Sequence, residues 1–229
     1  MVIKRFPPVE SADEYGLLAV GGDVEVESLL CAYRSGVFPW PIYKDILTWF
    51  CPPERAILRS QDLHVSRSLK KFLKKLPYSI YVNRNFEQVI KECSAAVNRT
   101  GQQGTWISSE LIAGYINLHR AGYAHSIECY DGNALVGGLY GVSIGKMFAG
   151  ESMFYRADNA SKVCLLYLMQ IVAERGAGWI DCQVVTSMTE AFGAVEVSRE
   201  SFLELLRPVV SSPGSLFDSG ELDVTGCLH

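Results

Sequence analysis

Apolar residues recur at helical spacing in several stretches of this chain and alternate with polar ones in others. Leu29, Leu30 and Tyr33 share one face of a helix that follows the Gly21-Gly22 turn. Asp23 can cap it, Glu25 and Glu27 suit its first turn, and Gly36 stops it. Phe38-Pro39-Trp40-Pro41 cannot continue a helix, because proline lacks a backbone donor and restricts the residue before it, so a rigid aromatic loop is predicted. Short strands are expected at Trp49-Phe50 and at residues 56–58. Leu69, Phe72, Leu73 and Leu76 then form one side of a helix over 65–76, with lysines on the other. A domain boundary is placed near residue 62, dividing 1–62 from 63–229.

Beyond it the pattern predicts a strand over 78–82 and helices over 86–97 and 109–121, the latter ended by Gly122. Strands over 125–130 and 134–142 are joined by Asp131-Gly132-Asn133, a hairpin signal, and a third strand covers 146–154. A helix over 160–175 and a strand over 179–184 close the series. Residues 211–229 show no periodicity and read as a tail. The fold class is α+β, with a small N-terminal α/β part ahead of a mixed sheet.

At 229 residues, 48% hydrophobic and 20% charged, the chain is composed like a soluble globular protein. No run has the roughly 18 apolar residues of a membrane span, and MVIKRFPP lacks the apolar centre of a signal peptide, so a cytoplasmic location is expected. Seven cysteines, odd in number and with no C-x-x-C spacing, suit reduced thiols and neither a disulfide framework nor a zinc site.

A net charge of −4 does not suggest a nucleic-acid partner, but the distribution does. Arg55, Arg59, Arg67, Lys70, Lys71, Lys74 and Lys75 face only Asp62 between residues 55 and 75. A helix that merely faces solvent mixes signs to gain pairs one turn apart, whereas an acid-free block fits a partner carrying phosphates. Equally notable are Glu151 and Asp181, set among Met147, Phe148, Met153, Phe154 and Ile180. Charge in apolar surroundings costs on the order of several kcal/mol unless it is paired or used.

The segments that carry these residues are GKMFAGESMF at 145–154, NASK at 159–162 and IDCQ at 180–183. With GLLAVGGD at 16–23, AYRSGVFPW at 32–40, HVSRSLKKF at 64–72, GTWI at 104–107, HSIE at 125–128 and GGLYGV at 137–142, the chain resembles the leucyl/phenylalanyl-tRNA-protein transferases. That resemblance implies an acetyltransferase-like (GNAT) domain after residue 62. It implies transfer of Leu, Phe or Met from aminoacyl-tRNA to proteins beginning with Arg or Lys, by a monomer without metal or cofactor. The product would carry a destabilising N-terminus and be routed to proteolysis.

The same resemblance implies the residue roles. Asp181 orients the acceptor amine and polarises Gln183, which accepts a hydrogen bond from that amine, while Glu151 fixes the reacting groups. Trp40 and Trp106 stack on the terminal adenine. Leu139, Phe148, Met153, Leu165 and Leu168 line an apolar pocket for the donor side chain, and Arg67, Lys70, Lys71, Lys74 and Lys75 grip tRNA phosphates. Strand alternation would turn Cys182 away from Asp181 and Gln183, against a thioester route with His125 as base. Asn159, Ser161 and Lys162 either cap the following helix or serve a ligand at its N-terminus.

Two rival readings remain open. An acetyl-CoA-dependent acetyltransferase would need a Gly-rich turn, and YRADNASK at 155–162 has no glycine. An inert tRNA-binding module draws on Tyr155 and Met188, which stand where the family usually has Ser and His.

Overall fold

The structure is a computed structural model that describes residues 2–41, 46–95, 107–175, 178–217 and 222–223. A three-stranded sheet carries the N-terminal part, with β1 (Leu17–Val20), β2 (Phe38–Pro39) and β3 (Thr48–Phe50) in the order β1-β3-β2, and α1 (Val26–Arg34) between β1 and β2. The chain then enters a larger sheet through β4 (Glu54–Arg59), ahead of residue 62. After α2 (Arg67–Leu73) come β5 (Ser79–Val82), α3 (Phe86–Ala95), α4 (Ser109–Arg120), β6 (Ala124–Asp131), β7 (Ala134–Ile144) and β8 (Met147–Tyr155). Next are α5 (Ala160–Glu174), β9 (Trp179–Gln183), α6 (Ser187–Ala191), β10 (Val195–Ser198), α7 (Arg199–Val210) and β11 (Leu222–Asp223). The eight strands lie in the order β10-β4-β9-β8-β7-β6-β5-β11.

The α+β class and mixed sheet expected from the sequence are therefore present. Neighbouring strands of the large sheet run antiparallel except β8 and β9, which are parallel and joined through α5. Parallel neighbours need such a crossover. Alternation along the strands feeds two cores, one on each face. Leu139, Phe148 and Ile180 pack with α5 and with Leu69 of α2, whereas Tyr140, Ala149 and Trp179 pack with α1, α3, α4 and α7. Helix α5 lies so close to β7 that a Cβ on Gly137 would come within 2.5 Å of Ala160 Cβ. That position requires glycine.

Several expectations need correction. Asp23 does not cap α1 directly; it lies two residues before the N-cap Glu25, and its carboxylate accepts from Glu25 N and the Ser28 hydroxyl. Phe38 and Pro39 are not purely loop, since they pair with Phe50 and Trp49. The elements do not end with β9, because α6, β10 and α7 follow, Ser198 capping α7 through its side chain. The segment after 211 is not a loose tail where it is described. Leu216 and Phe217 are buried, Phe217 stacking on His125 at 4.4 Å, and β11 pairs with β5.

Candidate active site

Two register shifts build the site. Along β7 and β8, Tyr140 faces Ser152 but Gly141 faces Gly150, so Glu151 is the extra residue of a bulge. Along β4 and β9, Ile57 faces Asp181 but Ala56 faces Gln183, so Cys182 is extra. Bulges re-aim side chains, and these two bring Gln183 Nε2 to Glu151 Oε1 at 2.9 Å. A carboxylate only accepts, so the Gln183 amide nitrogen faces it and the amide oxygen is left for another donor. Glu151 Oε2 accepts from the Tyr115 hydroxyl at 2.8 Å, and that hydroxyl meets Tyr33 OH at 2.6 Å. Burial first, then the nearby Asp181 charge, raises the Glu151 pKa to about 7 against the hydrogen bonds of the tyrosines and the charge of Arg55.

Gln183 itself has φ +57, and Val184 N donates to Cys182 O at 2.7 Å across it. This is a γ-turn with positive φ at a non-glycine residue, a rare and strained conformation. Asp181 stabilises it by accepting from Gln183 N through Oδ1 at 2.9 Å. Asp181 is in turn held by Arg55, with Nε to Oδ1 at 2.8 Å and Nη2 to Oδ2 at 2.7 Å. Arg55 is 1% exposed, its guanidinium lies 4.5 Å from the rings of both Phe38 and Phe202, and Nη1 donates to Gly36 O. Arg55 therefore does not belong to the exposed basic block in which the sequence placed it.

A cavity of about 1040 Å³ draws its lining from both faces of the sheet. Trp40, Leu139, Glu151, Met153, Leu165, Leu168 and Gln183 all border it. Phe148 does not: it is wholly buried behind the wall, 5.7 Å from the Phe217 ring. Asp181 does not either, because alternation sends it with Trp179 to the other face while Ile180 and Cys182 border the cavity. The expectation that Asp181 and Gln183 share a face against Cys182 is thus reversed by the Gln183 turn. Burial and the Asp181 charge push the Cys182 thiol well up, which leaves it a poor nucleophile. His125 is held well below its usual range, at about 4, by burial and by His119, and its ring nitrogens face Asn83 Nδ2 and Gly122 O.

The cavity is also lined by the polar side chains of Tyr155, Asp158, Asn159, Ser161, Lys162 and Thr186, and by Met188. Asn159 makes no side-chain capping bond, so its expected cap is not formed. Trp106 lies outside the described residues. On α2, Arg67, Lys70 and Lys71 are exposed, as are Lys74 and Lys75 just beyond it, and none has an ion-pair partner among the described residues. No group of three metal-ligating side chains occurs among the described residues, and no described helix is long and apolar enough to cross a membrane.

The profile of the family described as leucyl/phenylalanyl-tRNA protein transferase matches residues 57–207, and that of its N-terminal domain matches 22–53. The chain belongs to this family. It is 48% identical over 203 residues to the leucyl/phenylalanyl-tRNA-protein transferase of Shewanella halifaxensis, covering 88% of this chain and 85% of that one. The transferase of the same name from Shewanella pealeana is 44% identical, over 97% and 94% of the two chains. That of Flavobacterium johnsoniae is 43% identical, over 88% and 95%. Among solved structures, L-PGS from Bacillus licheniformis superposes with a TM-score of 0.43 over 81% of this chain and 70% of its own at 12% identity, a likeness too slight to inform the site. The family's two profiles meet between residues 53 and 57, where the chain passes from β3 into β4.

Proposed function

We propose that this transferase moves leucine, phenylalanine or methionine from aminoacyl-tRNA to the α-amino group of proteins beginning with Arg or Lys. The observation that carries this reading is the Gln183–Glu151 pair bordering a large cavity that also has an apolar wall. An unbranched or γ-branched side chain fits against Leu139, Met153, Leu165 and Leu168, and the flexible thioether of Met153 adapts to different shapes. Trp40 borders the same cavity and offers a face for the terminal base, a stacking interaction of about 1–3 kcal/mol. The exposed lysines of α2 and Arg67 suit tRNA phosphates, and Glu151 with Asp158 favours a cationic acceptor.

The acceptor ammonium first gives up a proton, to Glu151 or to water, and the free amine donates to the Gln183 oxygen. Its nitrogen attacks the ester carbonyl, the bond to the ribose oxygen breaks, and the second amine proton ends on the ribose hydroxyl. A protein N-terminus has a pKa near ~8 and the ester is already activated, so positioning contributes up to about 7–11 kcal/mol without a strong base. The ester supplies the energy, and no nucleotide is consumed. The new N-terminal residue marks the protein for proteolysis in the cytoplasm, with the enzyme acting as a monomer.

The test is to incubate the protein with labelled Leu-tRNA or Phe-tRNA and a protein starting with Arg. Label on the acceptor N-terminus supports the reading. Binding of tRNA without transfer would instead make this an inert tRNA-binding module.

A further inference from the structure

The Gln183 turn needs support from outside itself. A non-glycine residue at φ +57 with a two-residue hydrogen bond persists only where its surroundings over-determine it. The bond from Gln183 N to Asp181 Oδ1 supplies part of that, but a buried aspartate would itself be unstable without a cation. Arg55 meets both carboxylate oxygens, and the same guanidinium reaches a third segment by donating to Gly36 O at 3.1 Å. Gly36 precedes the aromatic loop, whose Phe38 covers one face of the guanidinium at 4.5 Å. Phe38 packs 6.2 Å from Trp40, which borders the cavity.

We infer that Arg55 is a positioning residue: one guanidinium fixes the Gln183 turn through Asp181 and the aromatic loop through Gly36, holding the amine-binding amide and the base-stacking ring in one geometry. The inference rests on the proposed transfer reaction for its kinetic consequence, but its structural half stands apart from it. Asp181, which does not border the cavity, acts through the backbone of Gln183 and does not touch the amine. Lysine cannot substitute, since a compact ammonium lacks the planar fork that spans a carboxylate and a carbonyl together.

A buried ion pair that only supports the fold can often be replaced by apolar residues of similar size without loss of stability. The double variant Arg55→Met/Asp181→Met separates the two roles. It should unfold at a temperature near that of the wild type, yet its kcat should fall by about a hundredfold, as for an ångström-scale misplacement, while KM for the charged tRNA moves less than about threefold. Transfer by the double variant at wild-type kcat overturns the inference.

Arg55→Lys, read by amide hydrogen exchange, keeps the question decidable if the double variant does not fold or the wild type does not transfer. The Gln183 amide should exchange at least about tenfold faster while the amides of Ile127 and Val142 are unchanged. Unchanged protection at Gln183 overturns the inference, and so does equal loss at all three positions, which marks a general structural role. Absence of transfer by the wild type, with the Gln183 amide selectively exposed, overturns the proposed reaction and leaves the positioning role standing.

Discussion

Gln183 and Glu151 meet across the seam between β8 and β9, each displaced from regular alternation by a one-residue bulge, with 2.9 Å between amide nitrogen and carboxylate oxygen. Once ionised, the carboxylate can only accept and so orients the amide, and burial retains the Glu151 proton to near-neutral pH.

The pH dependence follows from that retention. With its pKa raised from 4.5 to about 7, Glu151 binds more proton in the folded than in the unfolded chain across that interval. Stability should therefore fall as pH rises through the interval, and Glu151→Gln should flatten that slope in urea unfolding. Transfer should show the opposite trend, rising as Glu151 ionises near pH 7. An unchanged stability slope in the Gln variant would show that Glu151 titrates normally.

The basic helix should be visible in salt. Changing Lys70, Lys71, Lys74 and Lys75 together to Gln should weaken tRNA binding and reduce the log–log salt slope by about 3 if each lysine contacts one phosphate. Filter binding at several salt concentrations checks it. A slope equal to that of the wild type returns this exposed face to solvent.

Donor selectivity should respond at Leu139, which borders the cavity and pairs across the sheet with Met153. Leu139→Trp should reduce Phe transfer more than Met transfer, because an overfilled pocket penalises the rigid ring most. Overpacking by itself destabilises by about 1–3 kcal/mol, so melting temperature must be followed in parallel. Equal loss for both donors together with a lowered melting temperature would make Leu139 a packing residue.

Phe148 should behave differently from its neighbours in the sequence. It sits behind the wall against Phe217, so Phe148→Leu should lower stability while leaving the Phe-to-Met transfer ratio unchanged, and Phe148→Ala should cost about 3–5 kcal/mol. Denaturant unfolding and paired donor assays distinguish this from a pocket role.

Cys182 borders the cavity, but its thiol is held protonated. Cys182→Ala should retain turnover within about twofold of wild type. A trapped aminoacyl thioester in mass spectrometry would show that transfer passes through the cysteine.

The helices and the β6–β8 meander were legible because burial on one face imposes a period, as at Leu29, Leu30 and Tyr33 or along 134–142. Helix α7 carries the same signal in Phe202, Leu206 and the Ser198 cap. The bulges are not legible, since nothing local distinguishes an extra residue from a regular one, and a strict period of two puts Gln183 on the face of Asp181 instead of beside Cys182. Arg55 reads as part of the basic block because cations follow it along the chain. The available signal is its position at the head of the apolar run Ala56, Ile57 and Leu58, inside the exposed Glu54, matched by Asp181 within the apolar strand β9.

The Arg55–Asp181 pair joins residues 126 positions apart. During synthesis the arginine emerges long before its carboxylate, and closing a loop of that length is among the entropically dearer steps of folding. A nascent chain thus has its aromatic loop and Arg55 without the carboxylate that ties them to the Gln183 turn, and its reaction centre takes shape only once β9 has been made and has returned to pair with β4.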